Sequence, residues 1–160
     1  MVKSIGAQSV IKQLRVKEMN KENTAKLMEK YSFLRVAEDP FIRKGNESML
    51  YDLMLFGIET GDGWYNLIDN LCATIVKTLK EEGYSEDTIK ADQVKEKFGG
   101  LRFYYHFEKE VSKEVQQRIS EVIGMTEEQS FRTCEVCGKV GKLEEANSWY
   151  STKCDECRGV

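Results

Sequence analysis

The sequence predicts an α+β fold in which helices pack on a small antiparallel sheet with a central hairpin, followed by a C-terminal ribbon of cysteine knuckles. Three patterns in the 160 residues predict this fold. Apolar residues recur at three- and four-residue steps over residues 63–82, two strand-like runs flank Gly99-Gly100, and two Cys-x-x-Cys pairs lie near the C-terminus.

Composition and charge exclude several classes of protein. Apolar residues make up 41% of the chain and charged residues 32%, which is typical of a folded domain. The formal net charge is −3, whereas proteins that bind duplex DNA usually carry a basic excess because phosphate neutralisation supplies affinity. Apolar runs are too short to span a bilayer. Neither duplex DNA nor a membrane is therefore an expected partner.

We expect three segments in the chain. Residues 1–18 form a basic N-terminal extension, which lacks the apolar stretch of a secretory signal. Residues 19–132 form an α+β core domain, and residues 133–160 form the ribbon. Without a secretory signal, we expect reduced thiols and a cytoplasmic location.

The N-terminal part of the core begins with a helix. Residues 20–31 have a loose apolar side, and Asn20 is a suitable cap. Residues 36–47 contain breaker residues and are predicted to form a loop. Residues 49–58 are rich in apolar and aromatic residues, which favours a strand.

The clearest helix is predicted at about residues 63–82, with Asp62 as its cap and Gly83 as its end. Its apolar stripe consists of Trp64, Leu67, Ile68, Leu71, Cys72, Ile75, Val76 and Leu79. Cys72 lies on this stripe, so we interpret it as a buried hydrophobe. A role as nucleophile is disfavoured because the sole histidine has no sequence link to it.

The start of this helix has two interpretations. Gly61, Gly63 and the free N–H groups near them could bind a phosphate, as helix N-termini often do. Alternatively, Asp62 already caps those N–H groups and Trp64 packs in the core, which makes the segment a capped turn.

Two strands are predicted at residues 92–98 and 101–107, joined by a type I′ turn at Gly99-Gly100. This register places Lys97 opposite Arg102 and Gln93 opposite His106. The predicted core face carries Val94, Glu96, Phe98, Leu101, Phe103 and Tyr105. The opposite face carries Gln93, Lys95, Lys97, Arg102, Tyr104 and His106.

The second face predicts a site for an anion. Like charges that oppose each other destabilise a hairpin, and an anion between Lys97 and Arg102 would remove the repulsion. Arginine offers a bidentate fork to phosphate or carboxylate, and Tyr104 can stack on a base or donate a hydrogen bond. The alternative is a solvated strand face that is paired with nearby glutamates.

A second amphipathic helix is predicted at residues 109–124, where Val111, Val115, Ile119, Val122 and Ile123 form the inner side. The residues from 125 to 132 are expected to connect this helix to the cysteine region.

The four C-terminal cysteines predict a zinc ribbon. Cys134 and Cys137 form one knuckle, and Cys154 and Cys157 form the other. Two such knuckles complete a tetrahedron around Zn²⁺, and four protein ligands leave no open position for water, so the zinc is expected to be structural. A redox pair is the alternative. Residues 134–160 contain slightly more acidic than basic side chains, which disfavours binding of phosphate groups by the ribbon.

Three segments carry a resemblance to a known family. They are Gly61-Asp62-Gly63-Trp64-Tyr65, the run from Val94 to Tyr104, and Arg132-Thr133-Cys134-Glu135-Val136-Cys137-Gly138 together with Cys154-Asp155-Glu156-Cys157. Over about residues 19–158 the chain resembles a family of small phage- and prophage-encoded hypothetical proteins with a C-terminal four-cysteine zinc ribbon. The resemblance implies a viral accessory protein in the host bacterial cytoplasm. By analogy, such a protein can counter host defence by sequestering a nucleotide signal.

Two functions are compatible with these patterns. The first is a bacteriophage accessory protein, acting against host defence, that binds an anionic, nucleotide-like small molecule on the hairpin face; a host protein is a further partner. The second is a zinc-ribbon protein that binds nucleic acid or the transcription machinery. An enzyme acting on phosphates through Asp62, Glu96 or His106 is disfavoured, because no carboxylate pair or Cys/His arrangement has a recognisable spacing.

Overall fold

The computed structural model of the chain describes residues 17–38, 41–42 and 50–160. The helices are α1 (Lys21–Lys30), α2 (Tyr65–Glu81), α3 (Lys113–Ser130) and the short α4 (Asp155–Arg158). The strands are β1 (Phe41–Ile42), β2 (Leu50–Tyr51), β3 (Ile89–Lys97), β4 (Gly100–Phe107), β5 (Lys142–Ala146) and β6 (Trp149–Lys153). They pair as three antiparallel hairpins, β1 with β2, β3 with β4 and β5 with β6. The predicted α+β class is confirmed.

The N-terminal third differs from its prediction. The helix with Asn20 as its cap is confirmed, and the Asn20 side chain accepts from the Asn23 N–H. The predicted strand at residues 49–58 is wrong beyond β2, because Leu53–Phe56 forms a 3-10 turn that the Asp52 carboxylate caps. Of the predicted loop and basic extension, residues 39–40, 43–47 and 1–16 lie outside the described residues.

Helix α2 has the predicted stripe and bounds. All of its predicted apolar residues are buried except Val76, which is partly buried. The interpretation of Cys72 as a core residue is confirmed, since its thiol is fully buried and burial raises its pKa. Among the described residues, no helix combines the length and apolar character that a membrane span requires.

Helix α3 starts later and ends later than predicted. It begins at Lys113 because the Ser112 side chain accepts from the Val115 N–H. It continues past Gly124, the predicted end, because that glycine is helical, exposed and free of close neighbours. The buried Thr126 and Ser130 extend its inner side toward the cysteine region.

The central hairpin turns one residue earlier than predicted. Phe98 and Gly99 occupy the turn with φ of 52° and 79°, so that Lys97 pairs with Gly100 and Lys95 pairs with Arg102. The predicted turn and the predicted Lys97–Arg102 opposition are therefore wrong. Each cross-strand pair is shifted by two residues relative to the prediction, and a shift by an even number leaves every side chain on its predicted face. The five outer-face residues from Gln93 to Tyr104 therefore still lie together. A bulge at Asp92 then shifts the register beyond Gln93.

The predicted core face is correct in the centre of the hairpin and wrong at its tip. Val94, Leu101 and Phe103 are buried against the helices. Phe98 is a turn residue with an exposed ring. The core lies between this face and helices α2 and α3.

Neighbouring segments cover both edges of the hairpin. On the β3 side, Glu59 forms a parallel bridge to Lys95, with hydrogen bonds of 2.9 Å to the backbone of Val94 and Glu96. On the β4 side, the Ser130 hydroxyl accepts from the Leu101 N–H at 2.8 Å, and the Glu127 carboxylate accepts from the Phe103 N–H at 2.9 Å. These hydrogen bonds fix both edges of the hairpin and, with them, the position of its outer face.

Candidate functional site

The four predicted metal ligands lie together. The Sγ atoms of Cys134, Cys137, Cys154 and Cys157 all lie within 4.8 Å of one another. The Cys137 and Cys154 sulfurs are 3.6 Å apart. Four sulfurs that surround a metal ion tetrahedrally at about 2.3 Å lie about 3.8 Å from each other. The cluster therefore has the composition and spacing of a tetrahedral metal site.

Local backbone structure positions the sulfurs. Gly138, with φ of 78°, turns the first knuckle so that its N–H donates to the Cys134 carbonyl at 2.8 Å. In the second knuckle, Cys154 caps α4 and its sulfur accepts from the Cys157 N–H at 3.4 Å. Each knuckle thus turns both of its thiols to one point.

The thiols differ in how readily they lose a proton. Burial alone raises the pKa of Cys134, but hydrogen bonds from the backbone of residues 154, 137 and 136 outweigh burial and lower that pKa to about 6. Hydrogen bonds with the Cys137 and Cys154 side chains, followed by burial, raise the pKa of Cys157 to about 12. A cation at the centre would be needed to keep four thiolates together. With four protein ligands the site has no open position, which is the arrangement of a structural site.

The Gly61-Asp62-Gly63 segment receives the first knuckle. The Gly63 N–H donates to the Glu135 carbonyl at 2.8 Å. A Cβ added at Gly61 would lie 2.1 Å from the Glu135 oxygen, and one added at Gly63 would lie 2.3 Å from the Cys134 oxygen. The glycines are required because the ribbon backbone passes directly against them. The prediction that N–H groups here are free to bind a phosphate is wrong for Gly63.

Asp62 does not cap α2 as predicted but binds residues at the start of α1. Its carboxylate accepts from the Asn20 N–H at 2.9 Å and from the Asn23 side chain at 3.2 Å, so it fixes the start of α1. The cap of α2 is Trp64, which makes no side-chain cap bond. The expected packing of Trp64 in the core is confirmed, and its indole N–H also donates to the Thr133 carbonyl at 2.7 Å.

The hairpin turn is the second contact of the ribbon. The Thr152 hydroxyl donates to the Gly99 carbonyl at 2.6 Å, and a Cβ on Gly99 would lie 2.3 Å from Leu143 Cδ1. A Cβ on Gly100 would lie 2.3 Å from the ring of Phe131. The three segments that carry the family resemblance therefore meet at one junction between the core and the ribbon. We did not predict this junction from the sequence. The glycines at positions 61, 63, 99 and 100 are the sequence feature that could have indicated it.

Lys17 joins the predicted N-terminal extension to the junction. Its ammonium pairs with the carboxylate of Glu135, which is buried. Burial raises the pKa of Glu135, and the charge of Lys17 offsets part of that effect. The knuckle is thus in contact with the N-terminal part of the described chain as well as with α2.

The outer face of the hairpin carries three cations that we call the cationic face: Lys95, Lys97 and Arg102. Lys95 lies directly opposite Arg102, and Lys97 follows on the same side. Among the described residues, no carboxylate forms an ion pair with any of the three. Tyr104 lies next to Arg102 along the face and is 42% exposed. The structure therefore brings together four of the residues predicted for the anion site.

Aromatic rings lie beside two of these cations. The Arg102 guanidinium is 5.8 Å from the centroid of the Phe131 ring, and one of its nitrogens donates to the Leu101 carbonyl at 2.7 Å. The Lys97 ammonium is 5.5 Å from the centroid of the Phe98 ring. Such contacts restrict the side chains without neutralising their charge.

His106 lies in an acidic environment at the other end of the hairpin. Its ring nitrogens are each 2.7 Å from a carboxylate, Nδ1 from Asp92 and Nε2 from Glu108. The predicted pairing of His106 with Gln93 is wrong, because the earlier turn places Gln93 opposite Tyr104 and the bulge then places Lys90 opposite His106. His106 thus contacts two carboxylates rather than the residues of the cationic face.

Two features of the described residues carry chemistry, the four-cysteine site and the cationic face. Comparison of the chain with family models, with curated proteins and with solved structures gave no match. The function is therefore inferred from the contacts, charges and exposure of these residues.

Proposed function

We propose that this chain is a non-catalytic binding protein that holds an anionic, nucleotide-like small molecule on its cationic face. The observation that carries the proposal is the direct opposition of Lys95 and Arg102, with Lys97 beside them and no ion-pair partner among the described residues. Opposed like charges cost a hairpin stability. A bound anion converts that repulsion into attraction, so the arrangement is most favourable in the complex.

The side chains of the face suit a phosphate group. Arginine presents a planar fork that can bind two oxygens at once, and lysine adds charge without a fixed direction. The Phe131 ring beside Arg102 limits the freedom of the guanidinium, which lowers the entropy lost on binding. Tyr104 offers a hydroxyl group and an exposed ring at the edge of the face. The neighbouring Glu59 is engaged by Gln93 at 2.9 Å rather than by a cation.

We further propose that the four-cysteine site holds one structural zinc ion. Four thiolates in a closed tetrahedral set are the ligands of structural zinc in proteins. When bound, the ion would fix the first knuckle against Gly61 and Gly63, and the strands β5 and β6 against Gly99. Its role is then to hold the hairpin turn in place beside the cationic face.

The resemblance to phage and prophage proteins supports a biological setting for this activity. We propose that the protein acts in the cytoplasm of a host bacterium and removes a nucleotide signal of a defence system. A binding protein suits this role, since sequestration requires affinity and no chemistry. A host protein that produces or reads the signal is a further partner.

Calorimetric titration tests the binding proposal. The probes are ATP, GTP, cyclic mononucleotides and cyclic dinucleotides, at low and at physiological salt. We expect Arg102→Ala to reduce the affinity for the tightest-binding nucleotide about ten- to a hundredfold, because a charge-assisted contact is lost. Lys113→Ala is the matched control, since it removes the same charge from an exposed site at the start of α3.

The stability of the two variants completes the test. Arg102→Ala relieves repulsion but also removes the contacts of the guanidinium with the Phe131 ring and the Leu101 carbonyl, so the ligand-free variant should melt close to the parent. An early-melting Arg102→Ala protein, together with a parent that binds none of the nucleotides, would show that Arg102 has a structural role and would end the proposal.

A second candidate function has one observation in its favour. Lys142 and Lys153 oppose each other on the ribbon, and neither forms an ion pair with a carboxylate of the described residues. Together with the exposed Trp149 they resemble a contact surface for nucleic acid. Titration with a single-stranded oligonucleotide distinguishes the two functions, because tight and steeply salt-dependent binding is expected only of the second.

A further inference from the structure

A groove lies where the tip of the central hairpin meets the tip of the ribbon. It has a volume of about 280 Å³. Its lining consists of Glu96, Lys97, Phe98, Ser148, Trp149 and Tyr150. Three of these side chains are aromatic, and they come from two different hairpins that the junction holds side by side. Lys97 lines the groove and also belongs to the cationic face, so the two features are continuous.

The aromatic rings of the groove are unusually exposed. Phe98 is 65% exposed, Trp149 63% and Tyr150 39%. The rings of Phe98 and Tyr150 are perpendicular, with centroids 6.3 Å apart, so part of each ring face remains open. A cluster of exposed apolar rings marks an interaction site more often than a passive surface.

Phe98 occupies its position against the local preference of the backbone. Its φ of 52° lies in the left-handed region, where a residue with a bulky side chain is rare and costs about 1–2 kcal/mol. Type I′ turns prefer asparagine, aspartate or glycine at this position. A costly aromatic residue in a turn, with its ring pointing to solvent, is explained when the ring contacts a ligand.

The polar groups of the groove complement a nucleobase. The Glu96 carboxylate accepts from the Gly99 N–H at 2.5 Å through one oxygen, and its other oxygen has acceptor capacity for N–H groups on the edge of a base. The volume is just below the range for sites that hold a drug-sized ligand, which suits a single base. The phosphates of such a ligand would lie toward Lys97.

We infer that this groove is the base subsite of the nucleotide ligand. The base stacks on Phe98 and Trp149, its N–H groups donate to Glu96, and its phosphates extend past Lys97 to the opposed Lys95 and Arg102. The inference rests on the proposed function, because it assigns the second half of the same ligand. It identifies the ligand class as a nucleotide rather than a simple polyphosphate or an acidic peptide.

The two tryptophans of the chain allow a direct test. Trp64 is fully buried and Trp149 is exposed, so ligand-dependent quenching of fluorescence reports on the groove. The probes are ATP, GTP and inorganic triphosphate, which share the same phosphate chain. We expect ATP or GTP to quench Trp149 and to bind about five- to a hundredfold more tightly than inorganic triphosphate, because base stacking adds to the phosphate contacts.

Variants separate stacking from folding. Trp149→Ala should reduce the affinity for ATP or GTP to that for inorganic triphosphate, and Trp149→Phe should restore most of the difference because it keeps a ring. Met125→Ala is the control, since it truncates a 73% exposed side chain on α3 outside the groove. Inorganic triphosphate should bind the parent, Trp149→Ala and Met125→Ala equally.

The outcomes distinguish the two proposals. If inorganic triphosphate binds in an Arg102-dependent manner and the nucleotides bind no more tightly, the base subsite is refuted and the cationic face stands. If the nucleotides quench Trp149 but Arg102→Ala leaves their affinity unchanged, the cationic face fails as the phosphate site. Absence of binding by all three probes and by the cyclic mono- and dinucleotides overturns both.

Discussion

Individual glycines allow the ribbon backbone to pack closely against the core. At Gly63, an added Cβ would lie 2.3 Å from the Cys134 oxygen and 2.6 Å from the Glu135 carbonyl carbon, both of which are backbone atoms that cannot rotate away. We therefore expect Gly63→Ala to reduce the free energy of unfolding by about 1–3 kcal/mol, as overpacking does elsewhere. Urea unfolding of the metal-bound protein measures the change.

Gly124→Ala is the matched control for this prediction. Gly124 lies within α3 with no atom within 4 Å of its added Cβ, so alanine should stabilise the helix by about 0.5–1 kcal/mol. Equal effects of the two substitutions would mean that the knuckle does not pack against Gly63.

Cys72 is predicted to be unreactive in the native protein. Its thiol is fully buried and burial raises its pKa, so the thiolate is not populated near neutral pH. With the four-cysteine site loaded, an aromatic disulfide reagent should find no rapidly reacting thiol until the protein is unfolded. Fast modification of Cys72→Ala and of the parent alike would show instead that the four ligands are free.

Among the elements, the central hairpin has an unfavourable turn conformation at Phe98, while neighbouring segments hold both of its edges. Phe98→Asn replaces a bulky left-handed residue by one that type I′ turns favour, so we expect the free energy of unfolding to rise by about 1 kcal/mol. The same variant loses a ring of the groove and should bind ATP or GTP more weakly. A loss of stability in Phe98→Asn would show that the contact of Phe98 with Tyr150 matters more than its backbone strain.

The elements that the sequence predicts well are those with local causes. The stripe on α2 repeats over its whole length, and Asn20 caps α1 through a hydrogen bond to Asn23, three residues away. Both features depend only on neighbours along the chain. Helix α3 and the outer face of the central hairpin are predictable for the same reason.

Where the prediction from the sequence is wrong, the reason is a contact between residues that are far apart in the sequence. The sequence pattern places the hairpin turn at Gly99-Gly100 because both glycines suit a type I′ turn, yet Gly100 is required by the ring of Phe131 rather than by its φ. Similarly, Gly61 and Gly63 have the pattern of an anion-binding turn, but the passage of the knuckle backbone explains them. Nothing local distinguishes a glycine needed for φ from one needed for space.

At the scale of the whole molecule, the metal site is expected to stabilise more than the ribbon. The first knuckle contacts Gly63 before α2 and Lys17, and Thr152 of β6 contacts the hairpin turn, so loss of the metal should loosen all three contacts. With metal at about a thousand times its Kd, linkage gives about 4 kcal/mol, or roughly 8–16 °C in Tm for a chain of this size. Calorimetry before and after chelation measures the shift.

Elemental analysis accompanies this prediction. The purified protein should contain one zinc ion per chain, and Cys134→Ser should release it and lower the Tm as chelation does. A metal-free protein with the same Tm as the purified one would contradict the structural role of the site. A change confined to residues 133–160, with the rest of the chain unaffected, would contradict the coupling through the junction.

According to our two proposals, the cationic face and the groove beside it hold one nucleotide. The most direct test is an NMR titration of ¹⁵N-labelled, metal-loaded protein with ATP or GTP. We expect chemical-shift changes at the amides of residues 93–104 and 148–150, with those of residues 113–125 unchanged. Shifts that cluster along α2 and α3, or no shifts at millimolar nucleotide, would contradict this expectation.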